Sequence, residues 1–90
     1  MKVAVIGAGS WGTTYAKVLA DSGHQVALVA RREELAEEIN THRRNSEYLP
    51  GITLPDSIVA TADTQEALGE AEQIYLAIPS NTLRAFLEEI

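Results

Sequence analysis

Apolar residues in this chain fall into short closed runs, with stretches of helical spacing between them. Val3 to Ile6 and Val26 to Ala30 are apolar at every position. Runs without polar alternation predict parallel strands buried on both faces. Gly12, Tyr15, Ala16, Leu19 and Ala20 recur at helical spacing, and that pattern stops at Asp21-Ser22-Gly23. The spacing therefore predicts a strand over 2–6, a helix over 10–22, a strand over 25–30 and a helix over 32–41. Leu35, Ala36 and Ile39 lie on one face of that second helix. An irregular stretch from 42 to 57 follows, punctuated by Pro50-Gly51 and Pro55. A strand over 58–61, a helix over 65–71, a strand over 73–78 and a helix from 80 onward complete the expectation. Strands alternating with helices mean a parallel sheet with right-handed crossovers.

The first strand breaks directly into Gly7-Ala8-Gly9-Ser10-Trp11-Gly12. Each glycine of this G-x-G-x-x-G has its own task in a strand–turn–helix unit. Gly7 permits the tight turn, Gly9 lets a pyrophosphate approach the main chain, and Gly12 lets the helix pack closely on the strand. The helix that opens here directs unpaired N–H groups and the positive end of its dipole at a phosphate. The spacing alone is weak evidence. The strand–glycines–helix–strand order within about 30 residues is the context the motif requires. The expected fold is a Rossmann-type doubly wound α/β sheet with strand order 3-2-1-4 and its ligand crevice between strands 1 and 4.

Composition narrows the partners. Six glycines, 46% hydrophobic residues and no cysteine describe one small domain without disulfides or thiolate metal sites. The glycines interrupt the N-terminal apolar run too early for a secretory signal, and no apolar stretch is long enough for a membrane span, so a cytoplasmic protein is expected. The net charge of −6 argues against a nucleic-acid surface. Arg31, Arg32, Arg43 and Arg44 nevertheless cluster within fourteen positions. They suggest a small anionic ligand, with solvated helix-end charge an equal reading for Arg43 and Arg44. His24 in a turn, His42 at a helix end, and Asp56 and Asp63 beside the long loop carry no catalytic expectation. No cluster has metal-ligand spacing.

The end of the second strand selects the dinucleotide. An acid there would accept bonds from the free ribose hydroxyls of NAD. The strand instead runs out as Val29-Ala30-Arg31-Arg32, and a guanidinium clamps a 2′-phosphate through charge-assisted bonds. NADP is favoured, and NAD stays open because arginine also stacks on adenine.

Four blocks resemble the bacterial NAD(P)-dependent glycerol-3-phosphate dehydrogenases. They are Val5–Thr13, Gly23–Arg32, Asn45-Ser46-Glu47-Tyr48-Leu49-Pro50-Gly51 and Ala77–Ser80. The third is the most specific, because no general folding rule accounts for it. Val29 departs from the tryptophan common in that family. The resemblance implies that Ser10 and Trp11 contact the pyrophosphate beside Gly7, Gly9 and Gly12. It also implies that Arg31, supported by Arg32, takes the 2′-phosphate. Tyr48 would flank the cofactor or, as readily, anchor the loop with Leu49. Pro79 and Ser80 would lie near the nicotinamide ribose, or serve as a turn and helix cap.

The implied reaction is reversible hydride transfer between NAD(P)H and dihydroxyacetone phosphate, giving glycerol 3-phosphate for phospholipid synthesis. A proton donor is required. Lys2 and Lys17, the two lysines, stand away from the ligand end of the sheet. The 90 residues are thus expected to be the N-terminal part of a dinucleotide-binding domain, catalytically inactive alone. The rest of that domain and a helical substrate domain with the catalytic lysines would follow. A homodimer stays open. So do two other classes: another 6-phosphogluconate-dehydrogenase-like oxidoreductase and a non-catalytic NADP-sensing module.

Overall fold

The computed structural model describes residues 2–76. Its elements follow the alternation in the sequence: β1 (Lys2–Ile6), α1 (Ser10–Asp21), β2 (Gln25–Val29), α2 (Glu33–His42), β3 (Ile58–Thr61), α3 (Thr64–Glu70) and β4 (Gln73–Leu76). The four strands form one sheet in the order β3-β2-β1-β4. All three pairings are parallel, with Val5 opposite both Leu28 and Tyr75, and Leu28 opposite Ala60.

The continuous apolar runs have the predicted consequence, since Val3, Ala4, Val5 and Ile6 are all buried. Val3, Val5 and Leu28 pack with Ala16 and Ala20 of α1 and with Leu35, Ala36 and Ile39 of α2. Ala4, Ile6 and Val29 face the other way, onto Ala67 of α3. Helices thus cover both faces, which is the doubly wound arrangement. Burying a side chain such as Leu28 or Ile39 contributes roughly 1.5–3 kcal/mol.

The edge strands are less covered. Val59 on β3 and Ile74 and Leu76 on β4 are about half exposed on the α3 side, because α3 has only seven residues and sits over the centre of the sheet. The helix and strand boundaries shift by a residue for local reasons. Arg32 keeps an extended conformation as the cap of α2, so the helix starts at Glu33. Glu33 and Glu34 then occupy the first turn, where the helix dipole favours acids. Asp63, exposed beside the loop, caps α3 by accepting the Glu66 N–H at 3.2 Å, so that helix starts at Thr64. Residues 77–90 lie outside the described part, and with them the end of the strand predicted over 73–78, Pro79, Ser80 and the last predicted helix.

The stretch 43–57 is held by its first residues. Arg43 ends α2 in the left-handed conformation with φ of 55°, a position that usually takes glycine. Its Nη1 donates to the carbonyls of Ile58 and, at 3.3 Å, of Pro55, and its Nε lies 3.4 Å from Asp56. The Arg43 carbonyl accepts the Leu54 N–H at 2.7 Å, drawing buried Leu54 under the loop. Arg43 therefore ties loop to strand.

Candidate dinucleotide site

Four parallel strands bring the ends of β1, β2, β3 and β4 to one edge of the sheet, and the glycine turn leaves β1 at that edge. Gly7 has φ of 110°, which L side chains rarely adopt, and its N–H donates to the Val29 carbonyl at 3.0 Å. Gly9 differs. Its φ of −76° suits any residue, and a Cβ built there would meet no protein atom within 4 Å. Neither backbone conformation nor protein packing requires a glycine at this position. The expectation from the sequence, a close approach by a ligand, would require one. Gly9 also begins α1 with no side-chain cap, so the first N–H groups of the helix are left for an external acceptor. Gly12 is buried on the inner side of α1.

The block Asn45–Gly51 lies against this turn, and its first residue gives it a folding reason that sequence rules miss. Asn45 is fully buried. Its Nδ2 donates to the Ala8 carbonyl at 2.9 Å and to Thr13 Oγ1 at 2.8 Å. The Thr13 hydroxyl, also fully buried, donates to the same Ala8 carbonyl at 3.2 Å. Asn45 Oδ1 accepts the Tyr48 N–H at 3.3 Å, and the Asn45 carbonyl accepts the Leu49 N–H at 2.8 Å. A second tie runs from Ser10, whose hydroxyl donates to the Tyr48 carbonyl at 2.8 Å. Leu49 packs on the core while the Tyr48 ring stays exposed, so the anchor is Leu49 with the Tyr48 backbone. Asn45 and Thr13 were missed as site residues. Their role is burial-dependent, and nothing in their spacing reveals it.

The arginines at the end of β2 are both exposed. Arg31 has no hydrogen bond or ion pair among the described residues. Arg32 Nη2 donates to Glu47 Oε1 at 2.8 Å. Glu47 is the residue between the Asn45 anchor and Tyr48, so the loop reaches back to the β2 end. The bond to Glu47, and then its charge, raises the Arg32 pKa. The Tyr48 hydroxyl and then the Arg32 guanidinium hold the Glu47 carboxyl below its ordinary value. Glu47 in turn pushes the Tyr48 phenol up. Of these contacts the Arg32–Glu47 bond is the geometrically well-formed one.

Trp11 is 76% exposed on the first turn of α1 and shares an outward apolar face with Tyr15 and Val18. Tyr15 stacks on Tyr75 of β4 with ring centroids 6.0 Å apart. A hollow of about 390 Å³ opens elsewhere, on the α3 face, where Lys2, Gln25 and Ser57 mark the starting ends of three strands. It lies at the opposite end of the sheet from the glycine turn, so it does not compete for the dinucleotide. Among the described residues no cluster could hold a metal ion, and no helix is long and apolar enough to cross a membrane.

The glycine turn on a 3-2-1-4 parallel sheet defines a dinucleotide-binding α/β protein. Residues 2–90 match the family described as NAD-dependent glycerol-3-phosphate dehydrogenase N-terminus, and the chain belongs to that family. It is 60% identical over 86 residues to a Mycobacterium tuberculosis protein named glycerol-3-phosphate dehydrogenase 2 with NAD(P)+ specified, covering 96% of this chain and 26% of that one. A Corynebacterium diphtheriae glycerol-3-phosphate dehydrogenase, also named for NAD(P)+, is 56% identical over 89 residues, covering 99% and 27%. The solved glycerol-3-phosphate dehydrogenase of Saccharomyces cerevisiae superposes with a TM-score of 0.92 at 38% identity, covering 99% of this chain and 29% of that one. The chain thus spans about a quarter of the length of the curated relatives it matches. The match favours neither another 6-phosphogluconate-dehydrogenase-like enzyme nor a sensing module.

Proposed function

We propose that this chain is the cofactor-binding portion of a cytoplasmic enzyme that interconverts dihydroxyacetone phosphate and glycerol 3-phosphate, with NADP(H) preferred over NAD(H). One observation supports the reading above others: Gly9 is a glycine that the protein itself does not need, beside an uncapped helix N-terminus. The pyrophosphate fits there, against the N–H groups of Ser10 and Trp11. Gly7 and Gly12 set the turn and the helix that present those groups. Arg31, without a partner among the described residues, takes the 2′-phosphate with Arg32 in support. Tyr48 borders the same space from the loop; the resemblance assigns Pro79 and Ser80, outside the described residues, to the nicotinamide ribose.

The nicotinamide ring supplies the hydride when bound, and the residues of this chain hold and orient the dinucleotide. The proton for the reduced carbonyl oxygen comes from elsewhere in the whole protein. Lys2 opens β1 at the far edge of the sheet, and Lys17 is paired with Asp21 at 2.6 Å on α1.

The test uses the full-length protein and its Arg31→Asp variant, titrated with NADPH and NADH and assayed for NADPH oxidation by dihydroxyacetone phosphate. Loss of charge-assisted bonds should weaken NADPH by at least about tenfold while NADH is spared or gains. Unchanged NADPH affinity would remove Arg31 from the phosphate site. Failure of wild-type protein to oxidise NADPH with this substrate would overturn the activity.

A further inference from the structure

The two arginines at the end of β2 differ in a way the sequence does not show: Arg31 is open and Arg32 is occupied. The occupant is not a loosely placed surface acid. Glu47 sits two residues after fully buried Asn45 and one before Tyr48, whose N–H and carbonyl are tied to Asn45 and Ser10. The Leu49-to-Asn45 backbone bond closes the same turn. Both flanks of Glu47 are thereby fastened to the glycine turn, and its carboxylate reaches Arg32 from a fixed base. We propose that Glu47 is a specificity-determining residue: an internal carboxylate on Arg32 that the 2′-phosphate of NADP(H) must displace, and that the hydroxyls of NAD(H) leave in place. This rests on the reading that the β2 end meets the adenosine ribose.

The chemistry gives the direction. A guanidinium presents a limited set of donors, and a carboxylate already on the fork leaves fewer for an incoming phosphate. NADP(H) therefore has to break the Arg32–Glu47 bond and accept a nearby negative charge. NAD(H) brings no charge to the 2′ position and does neither. Glu47 thus narrows the preference for NADP(H) that Arg31 and Arg32 would otherwise set, which suits a site that accepts either cofactor.

The experiment measures dissociation constants for NADPH and NADH on full-length wild type, Glu47→Gln, Arg32→Gln and the double variant. Glu47→Gln should tighten NADPH by about two- to fivefold, the scale of one exposed ion pair, and leave NADH unchanged. In the Arg32→Gln background the same substitution should do nothing to either cofactor. Tighter NADPH that persists without Arg32 would mean a general charge effect and would overturn the proposal. So would unchanged or weaker NADPH in Glu47→Gln, the last meaning that Glu47 steadies Arg32 for the phosphate. A separate arm protects the distinction from the underlying reading. If Arg31→Asp and Arg32→Gln shift the NADPH-to-NADH ratio but Glu47→Gln does not, only the role of Glu47 falls. If none of the three shifts it, the 2′-phosphate is not at this end of β2, and both fall.

Discussion

The glycine turn with the end of β2, and the loop that crosses beside it, use similar residues to opposite ends. In the loop, the polar side chains that fix its path, those of Asn45 and Arg43, are satisfied by the protein. Asn45 is fully buried with both ends of its amide bonded, and Arg43 fastens the loop to the start of β3. At the turn and the β2 end, the protein leaves things unexplained. Gly9 has room for a Cβ, α1 has no side-chain cap, and Arg31 has no partner among the described residues. A residue that its own fold satisfies is there for the fold. Where several residues that the fold neither requires nor satisfies stand at one end of the sheet, as Gly9 and Arg31 do, they mark the candidate site. The contrast is sharpest between Arg31 and Arg43, identical in type and twelve positions apart.

The largest break in this comparison should come from Gly9→Val in the full-length protein. A Cβ at this position meets nothing within 4 Å, so the fold should tolerate the substitution while the pyrophosphate can no longer approach. NADPH binding should be abolished while the melting temperature stays near wild type. Retained binding would mean the cofactor does not lie over this turn.

Asn45→Leu should show the converse. It removes the amide bonds to Ala8, Thr13 and Tyr48, leaving Ala8 and Thr13 only their mutual bond, and each lost hydrogen bond costs about 0.5–1.5 kcal/mol. The ligand-free melting temperature should fall by several degrees. Saturating NADPH should recover part of that loss, because the ligand binds only the folded form. An unchanged melting temperature would show that the loop is not held through Asn45.

The smallest effect belongs to Arg43→Gln, which sharpens the comparison of the arginines. Removing a part-buried donor from two carbonyls should lower stability by about 1 kcal/mol and leave the NADPH-to-NADH ratio unchanged. A shift in that ratio would bring Arg43 into the anion site and dissolve the distinction from Arg31.

The sequence by itself determined the sheet and the turn. Val3 to Ile6 and Val26 to Ala30 can only be buried on both faces, and the break at Gly7 falls where the apolar run ends. Those are local signals, carried by hydrophobic period and by glycine stereochemistry, and they placed seven elements to within a residue or two. The Arg31-Arg32 pair was legible for the same reason, since its place at a strand end follows from the strand. What needed the tertiary structure was every contact between distant positions. Asn45 reads as a polar loop residue until it lies under Ala8, 37 positions away, and Arg43 reads as surface charge until β3 comes beside it. The pairing of Arg32 with Glu47, fifteen residues on, is of this kind too. Burial and partnership depend on which segments the fold brings together, and no residue carries that information within its own neighbourhood of the chain.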